Sequence, residues 1–71
     1  APGASELRPR PRPDDIEVYR LIGDEPRTVD SLALAAALPL VDVAMRLARL
    51  EADGWIAQAD GWFECVGSPL R

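Results

Sequence analysis

The sequence predicts a mainly α fold closed by a small β-hairpin, and three observations predict it. Three helix-length stretches place apolar residues at helical spacing. After Gly54 the period drops to two, in two aromatic-rich segments. Between those segments lies Asp60-Gly61, a dipeptide that favours a two-residue type I′ turn. At 71 residues, 48 % apolar and 28 % charged, the chain has room for one small domain with a core.

The first helix is expected to start at a cap on Asp14 or Asp15 and to run to about Ile22, with Gly23 ending it. Val18, Leu21 and Ile22 form its apolar face, widened by Ile16 and Tyr19. Thr28-Val29 is too short for an independent strand but suits a bridge to a later sheet. Asp30 suits the cap of a second, short helix reaching about Ala37, with Leu32, Ala33 and Ala36 turned inward. Pro39 fits the first position of a third helix that continues to about Asp53 and stops at Gly54. Its buried stripe is Val43, Leu47 and Leu50, and truncating Leu47 or Leu50 to Ala is expected to cost about 2–5 kcal/mol. Residues 55–59 and 62–66 make the hairpin, which must lay an aromatic face on the helices to persist.

Helix, short strand, helix, tight turn, helix and hairpin is the order of a winged helix-turn-helix, three helices plus a two- or three-stranded wing. It is expected over residues 14–66, after a Pro/Arg-rich disordered linker at 1–13 and before a frayed tail at 67–71. In the linker, prolines alternate with Arg8, Arg10 and Arg12, which favours extended backbone. The tract can be read as an interdomain linker or as a basic arm that touches phosphates.

One cysteine, no histidine and no lysine rule out a disulfide framework, a Cys/His zinc site and a histidine general base. No catalytic residue, metal ligand, cofactor or small-molecule site is expected. No apolar run approaches the roughly 18 residues of a membrane span, and no signal segment opens the chain. The missing initiator Met fits a piece of a longer cytoplasmic protein with no membrane contact. Charge divides unevenly: residues 1–13 carry three arginines against one acid, and residues 14–71 five against eleven. An acidic body disfavours general affinity for nucleic acid.

A closer resemblance is carried by Ile22-Gly23-Asp24-Glu25-Pro26, by Thr28-Val29-Asp30-Ser31-Leu32-Ala33, by Leu38-Pro39-Leu40, and by the stretch from Leu47 through Leu50-Glu51 to Gly54-Trp55-Ile56. Over about residues 15–66 the chain resembles the C-terminal winged-helix domain of the DNA-processing protein A (DprA/Smf) family. The resemblance implies a bacterial module that follows a Rossmann-like core through a proline-rich linker. That core binds incoming single-stranded DNA in natural transformation and helps load RecA. For the winged helix itself it leaves open contact with double-stranded DNA or with protein. The chain departs from the pattern at Ala36-Ala37, where the helix-turn-helix turn usually holds glycine; a positive φ at Ala37 would be strained.

On the third helix, the side opposite the core presents Val41, Asp42, Met45, Arg46, Ala48, Arg49 and Ala52. Arg46 and Arg49 are the side chains there that can reach base edges or phosphates. With Arg27 and Arg20 they are the DNA-binding candidates. The alternative is a pair of surface charges, Arg49 near Asp53 and Arg46 near Asp42 at helical spacing. Val41, Met45 and Ala48, with Leu34 on the second helix, form a candidate protein-contact stripe, or ordinary alanine-rich helix surface. The wing tip, Asp60-Gly61, repels phosphate. Of Trp55, Trp62 and Phe63, alternation sends at least one to each face, outward to stack on bases or inward over the helices. Cys65 reads as a small buried hydrophobe.

Two functions follow. One is a non-catalytic appendage of a DNA-processing protein, acting through protein contact or weak DNA binding, with a protein partner or its own Rossmann-like domain. The other is the DNA-binding domain of a bacterial winged-helix transcription regulator.

Overall fold

The computed structural model describes residues 8–67. Helix α1 spans Pro13–Ile22, strand β1 Arg27–Thr28, α2 Val29–Ala36, α3 Leu40–Ala52, β2 Ile56–Ala59 and β3 Trp62–Cys65. The strands form one antiparallel sheet in the order β1-β3-β2, so the short β1 lies along the free edge of the hairpin. Three helices with this small sheet make a winged helix, as the hydrophobic periodicities require.

The helix starts differ from the sequence expectation by one to three residues, each for a local reason. α1 begins at Pro13, with Arg12 in extended geometry before it and no side-chain cap. Proline's fixed φ supplies the first turn, where its missing N–H costs nothing. That releases Asp15 for another task. α2 is capped by Thr28, whose Oγ1 accepts the Ser31 N–H at 3.2 Å, and Asp30 falls inside the first turn. Pro39 precedes α3 instead of opening it. β1 is Arg27–Thr28, one residue earlier than the expected bridge, pairing with Phe63 and Trp62.

α2 and α3 end in the same way. Leu38 N–H returns to Ala33 O at 3.2 Å and Ala37 N–H to Leu34 O at 3.3 Å; Trp55 N–H returns to Leu50 O at 2.9 Å and Gly54 N–H to Glu51 O at 3.1 Å. Both are Schellman closures, which hold one residue left-handed. In α3 that residue is Gly54 at φ 86°, but in α2 it is Ala37 at φ 56° and ψ 43°. The hairpin turn likewise has both central residues at positive φ, Asp60 at 52° and Gly61 at 84°, as a type I′ turn demands.

The core joins Val18, Tyr19 and Ile22 of α1, Leu32 of α2, Val43, Leu47 and Leu50 of α3, and Trp55, Ile56 and Phe63 from the hairpin. The Tyr19 and Trp55 rings meet edge to face, 5.9 Å between centroids. The hairpin thus closes the third side of the helix layer with aromatic area, which a two-stranded element needs for stability.

The arginine–proline tract is not detached from this body where it is described. The Arg8 guanidinium lies over the Trp55 ring, 3.7 Å from its centroid, and its Nη1 donates to Val66 O at 3.1 Å and Gly54 O at 3.3 Å. Trp55 Nε1 donates to Pro9 O at 2.7 Å, and Pro11 is buried. Over residues 8–12 a cation–π contact and three hydrogen bonds strap the tract to the two ends of the hairpin. Residues 1–7 and 68–71 lie outside the described residues, and with them most of the expected tail.

Candidate interaction surfaces

α3 owes its orientation to Val43, Leu47 and Leu50, buried at i, i+4 and i+7. Turning those three inward puts Val41, Ala44, Met45, Ala48 and Ala52 in solvent on the opposite side, flanked by Leu40 and Glu51. Val41 is 65 % exposed and Met45 55 %; Leu34, on the outer side of α2, is 84 % exposed. The protein-contact candidates Leu34, Val41, Met45 and Ala48 are all in solvent. Among the fully exposed residues of α3 Glu51 is the charged one, while Asp42, Arg46 and Arg49 are half-buried.

Its two arginines are turned the other way. Arg49 makes a two-point contact with Asp15 of α1, Nη2 to Oδ1 at 2.7 Å and Nε to Oδ2 at 2.8 Å, with the Asp15 side chain 3 % exposed. The hydrogen bond to Asp15 raises the Arg49 guanidinium above its ordinary pKa, partly offset by desolvation. Arg46 Nη1 donates to the backbone oxygen of Asp14 at 3.0 Å. Neither uses the within-helix acids, Asp53 and Asp42, that spacing offered. Both serve as fasteners between α3 and α1.

The other two DNA-binding candidates stand elsewhere. Arg27 lies at the β1–α2 corner, opposite Phe63; its Nη1 is 3.5 Å from Ser31 Oγ, and its buried Nε has no hydrogen-bond partner. Arg20 is exposed on the last turn of α1 and borders a hollow with Tyr19, Gly23, Asp24, Glu64 and Cys65. Four arginines at three places do not make one basic face. At the wing, Asp60-Gly61 forms the tip and no cation occurs between residues 55 and 66. Trp55 and Phe63 are buried, and Trp62 is the outward aromatic, 51 % exposed.

Cys65 is half-buried, its Sγ 3.8 Å from Tyr19 O, and burial pushes its thiol pKa up. That is the opposite of nucleophile activation. Among the described residues no group of three or more His, Cys, Asp or Glu is placed to hold a metal, and no single helix is long and apolar enough to cross a membrane.

Sequence reasoning missed Asp15 and Arg8. Asp15 had a signal: with Val18, Tyr19 and Ile22 it completes the i, i+3, i+4, i+7 core stripe of α1, so a carboxylate occupies a core position. Such a charge requires a partner. Arg8 had none, because its receptor lies 46 to 58 residues further along the chain.

The fold and surface define a winged-helix domain with an apolar outward helix and an acidic wing. A family model described as the DprA winged helix domain matches residues 2–61, and the chain belongs to that family. Comparison with curated proteins and with solved structures gave no match.

Proposed function

We propose that this domain is a non-catalytic protein-contact module of a DprA-like DNA-processing protein. Its setting is the handling of incoming single-stranded DNA in natural transformation and recombination, in the bacterial cytoplasm. Leu34, Val41, Met45 and Ala48 form its contact surface, against a protein partner or a preceding Rossmann-like domain. One observation carries the reading: the outward side of α3, the side with which a helix-turn-helix enters the major groove, is apolar, while Arg46 and Arg49 are tied to α1. Groove readers most often place Arg, Lys, Asn or Gln there, and exposed Met among small residues suits protein packing.

The test is fluorescence anisotropy of a short labelled duplex against the domain as salt rises from about 20 to 200 mM. The reading expects at most millimolar affinity across the range. A micromolar complex at low salt with a steep salt slope would assign the surface to DNA.

A further inference from the structure

The outer face of the wing is a second surface, distinct from α3 and independent of the reading above. The sheet register puts Thr28, Trp62 and Ala59 side by side on it, with Ala57 opposite Glu64 one step along. Flanked by Thr28 and Ala59, the Trp62 indole is left half uncovered. It forms a wall of an open hollow with Glu25, Pro26, Ala59 and Glu64. Two carboxylates beside an indole face, with no cation in the hollow, favour a cation and exclude a phosphate backbone. Within the same chain, Arg8 already lies 3.7 Å over the Trp55 ring from a proline-flanked extended segment.

We propose that the Trp62–Glu25–Glu64 hollow binds an arginine side chain presented by an extended segment of a protein partner. The guanidinium plane stacks on the indole while its N–H groups face the two carboxylates, a geometry that a planar delocalised cation fills better than an ammonium. Pro26 and Ala59 give apolar floor to the arginine stem.

The probe is the peptide acetyl-(Arg-Pro)3-amide, added to the ¹⁵N-labelled chain, with acetyl-(Gln-Pro)3-amide as control. The expected result is saturable movement of the Trp62 indole N–H and the Ala59 and Glu64 amides with the arginine peptide alone. Trp62→Ala is then expected to weaken binding by about tenfold, the loss of one such contact. Glu25→Gln with Glu64→Gln is expected to weaken it several-fold and to flatten its salt dependence. Trp62 and both glutamates are outside the core, so these variants keep the fold. Equal shifts with the glutamine peptide, movement at Trp55 in place of Trp62, or unchanged binding by Trp62→Ala would each overturn the proposal. So would a single-stranded oligonucleotide moving the Trp62 resonance, which would make the indole a base-stacking platform. None of these outcomes bears on the α3 surface, whose residues are read separately in the same spectra.

Discussion

Arg49 of α3 grips Asp15 of α1 by two parallel hydrogen bonds, 2.7 and 2.8 Å, and Asp15 is almost fully enclosed. The bond ties the last turn of α3 to the first turn of α1 and engages the Arg49 guanidinium there. Breaking it from one side strands a buried charge, whereas removing both partners does not. Arg49→Ala is therefore expected to lower the melting temperature clearly, and Asp15→Ala/Arg49→Ala to melt above Arg49→Ala alone. Thermal melts by circular dichroism of the two variants decide it.

Ala37 holds a left-handed conformation at the close of α2, in the same Schellman geometry that Gly54 serves at the close of α3. An L-residue there costs about 1–2 kcal/mol, partly offset by the greater unfolded-state freedom of glycine. Ala37→Gly is expected to stabilise the domain by about 1 kcal/mol in urea titrations. Gly54→Ala is expected to destabilise it, because Gly54 sits at φ 86°, a conformation that an L side chain strains.

Much of this architecture is legible in the sequence because it follows from short-range periodicity. The stripe Val43, Leu47, Leu50, the Asp60-Gly61 turn and at least one outward aromatic in the hairpin all come from spacing alone, though not that Trp62 is the one. Two helix starts shift because an earlier residue is competent to begin them: Thr28 caps α2 before Asp30, and Pro13 supplies the first turn of α1 before Asp14. The roles of Arg46 and Arg49 are not legible on α3 by itself. A helical wheel places them on the solvent side, and only the packing of α1 across their flank turns them into fasteners. The strap at residues 8–12 is hidden for the same reason, since its partners are Trp55 and Val66.

Arg8 and Trp55 tie the arginine–proline tract to the fold through a cation–π contact, joined by hydrogen bonds to Gly54 O and Val66 O. Arg8→Gln keeps a donor but removes the cation, and is expected to cost about 1 kcal/mol. Tryptophan fluorescence during urea unfolding reads both the midpoint and the changed environment of Trp55.

Cys65 is held in its neutral form by desolvation, which a hydrogen bond with the Tyr19 side chain offsets only in part and to which the nearby Asp24 carboxylate adds. The folded thiol has a raised pKa, so its contribution to stability is present below the pKa of the unfolded thiol and is lost as pH rises through the higher folded value. Alkylation by iodoacetamide is expected to be slower in the folded chain than in urea at pH 8. Stability is expected to decline in the alkaline range in the wild type more than in Cys65→Ala. Midpoints of urea unfolding across that range give the comparison.

The central claim is that the outward side of α3 meets protein and not DNA, and an amide ¹H–¹⁵N titration at low salt tests it residue by residue. Short duplex and single-stranded oligonucleotides are added to the 71-residue chain under conditions where electrostatic attraction is least screened. The account expects the Val41, Met45 and Ala48 amides to stay in place throughout. Saturable shifts running along α3 and into the hairpin, fading as salt is raised, would contradict it and make this face a DNA surface.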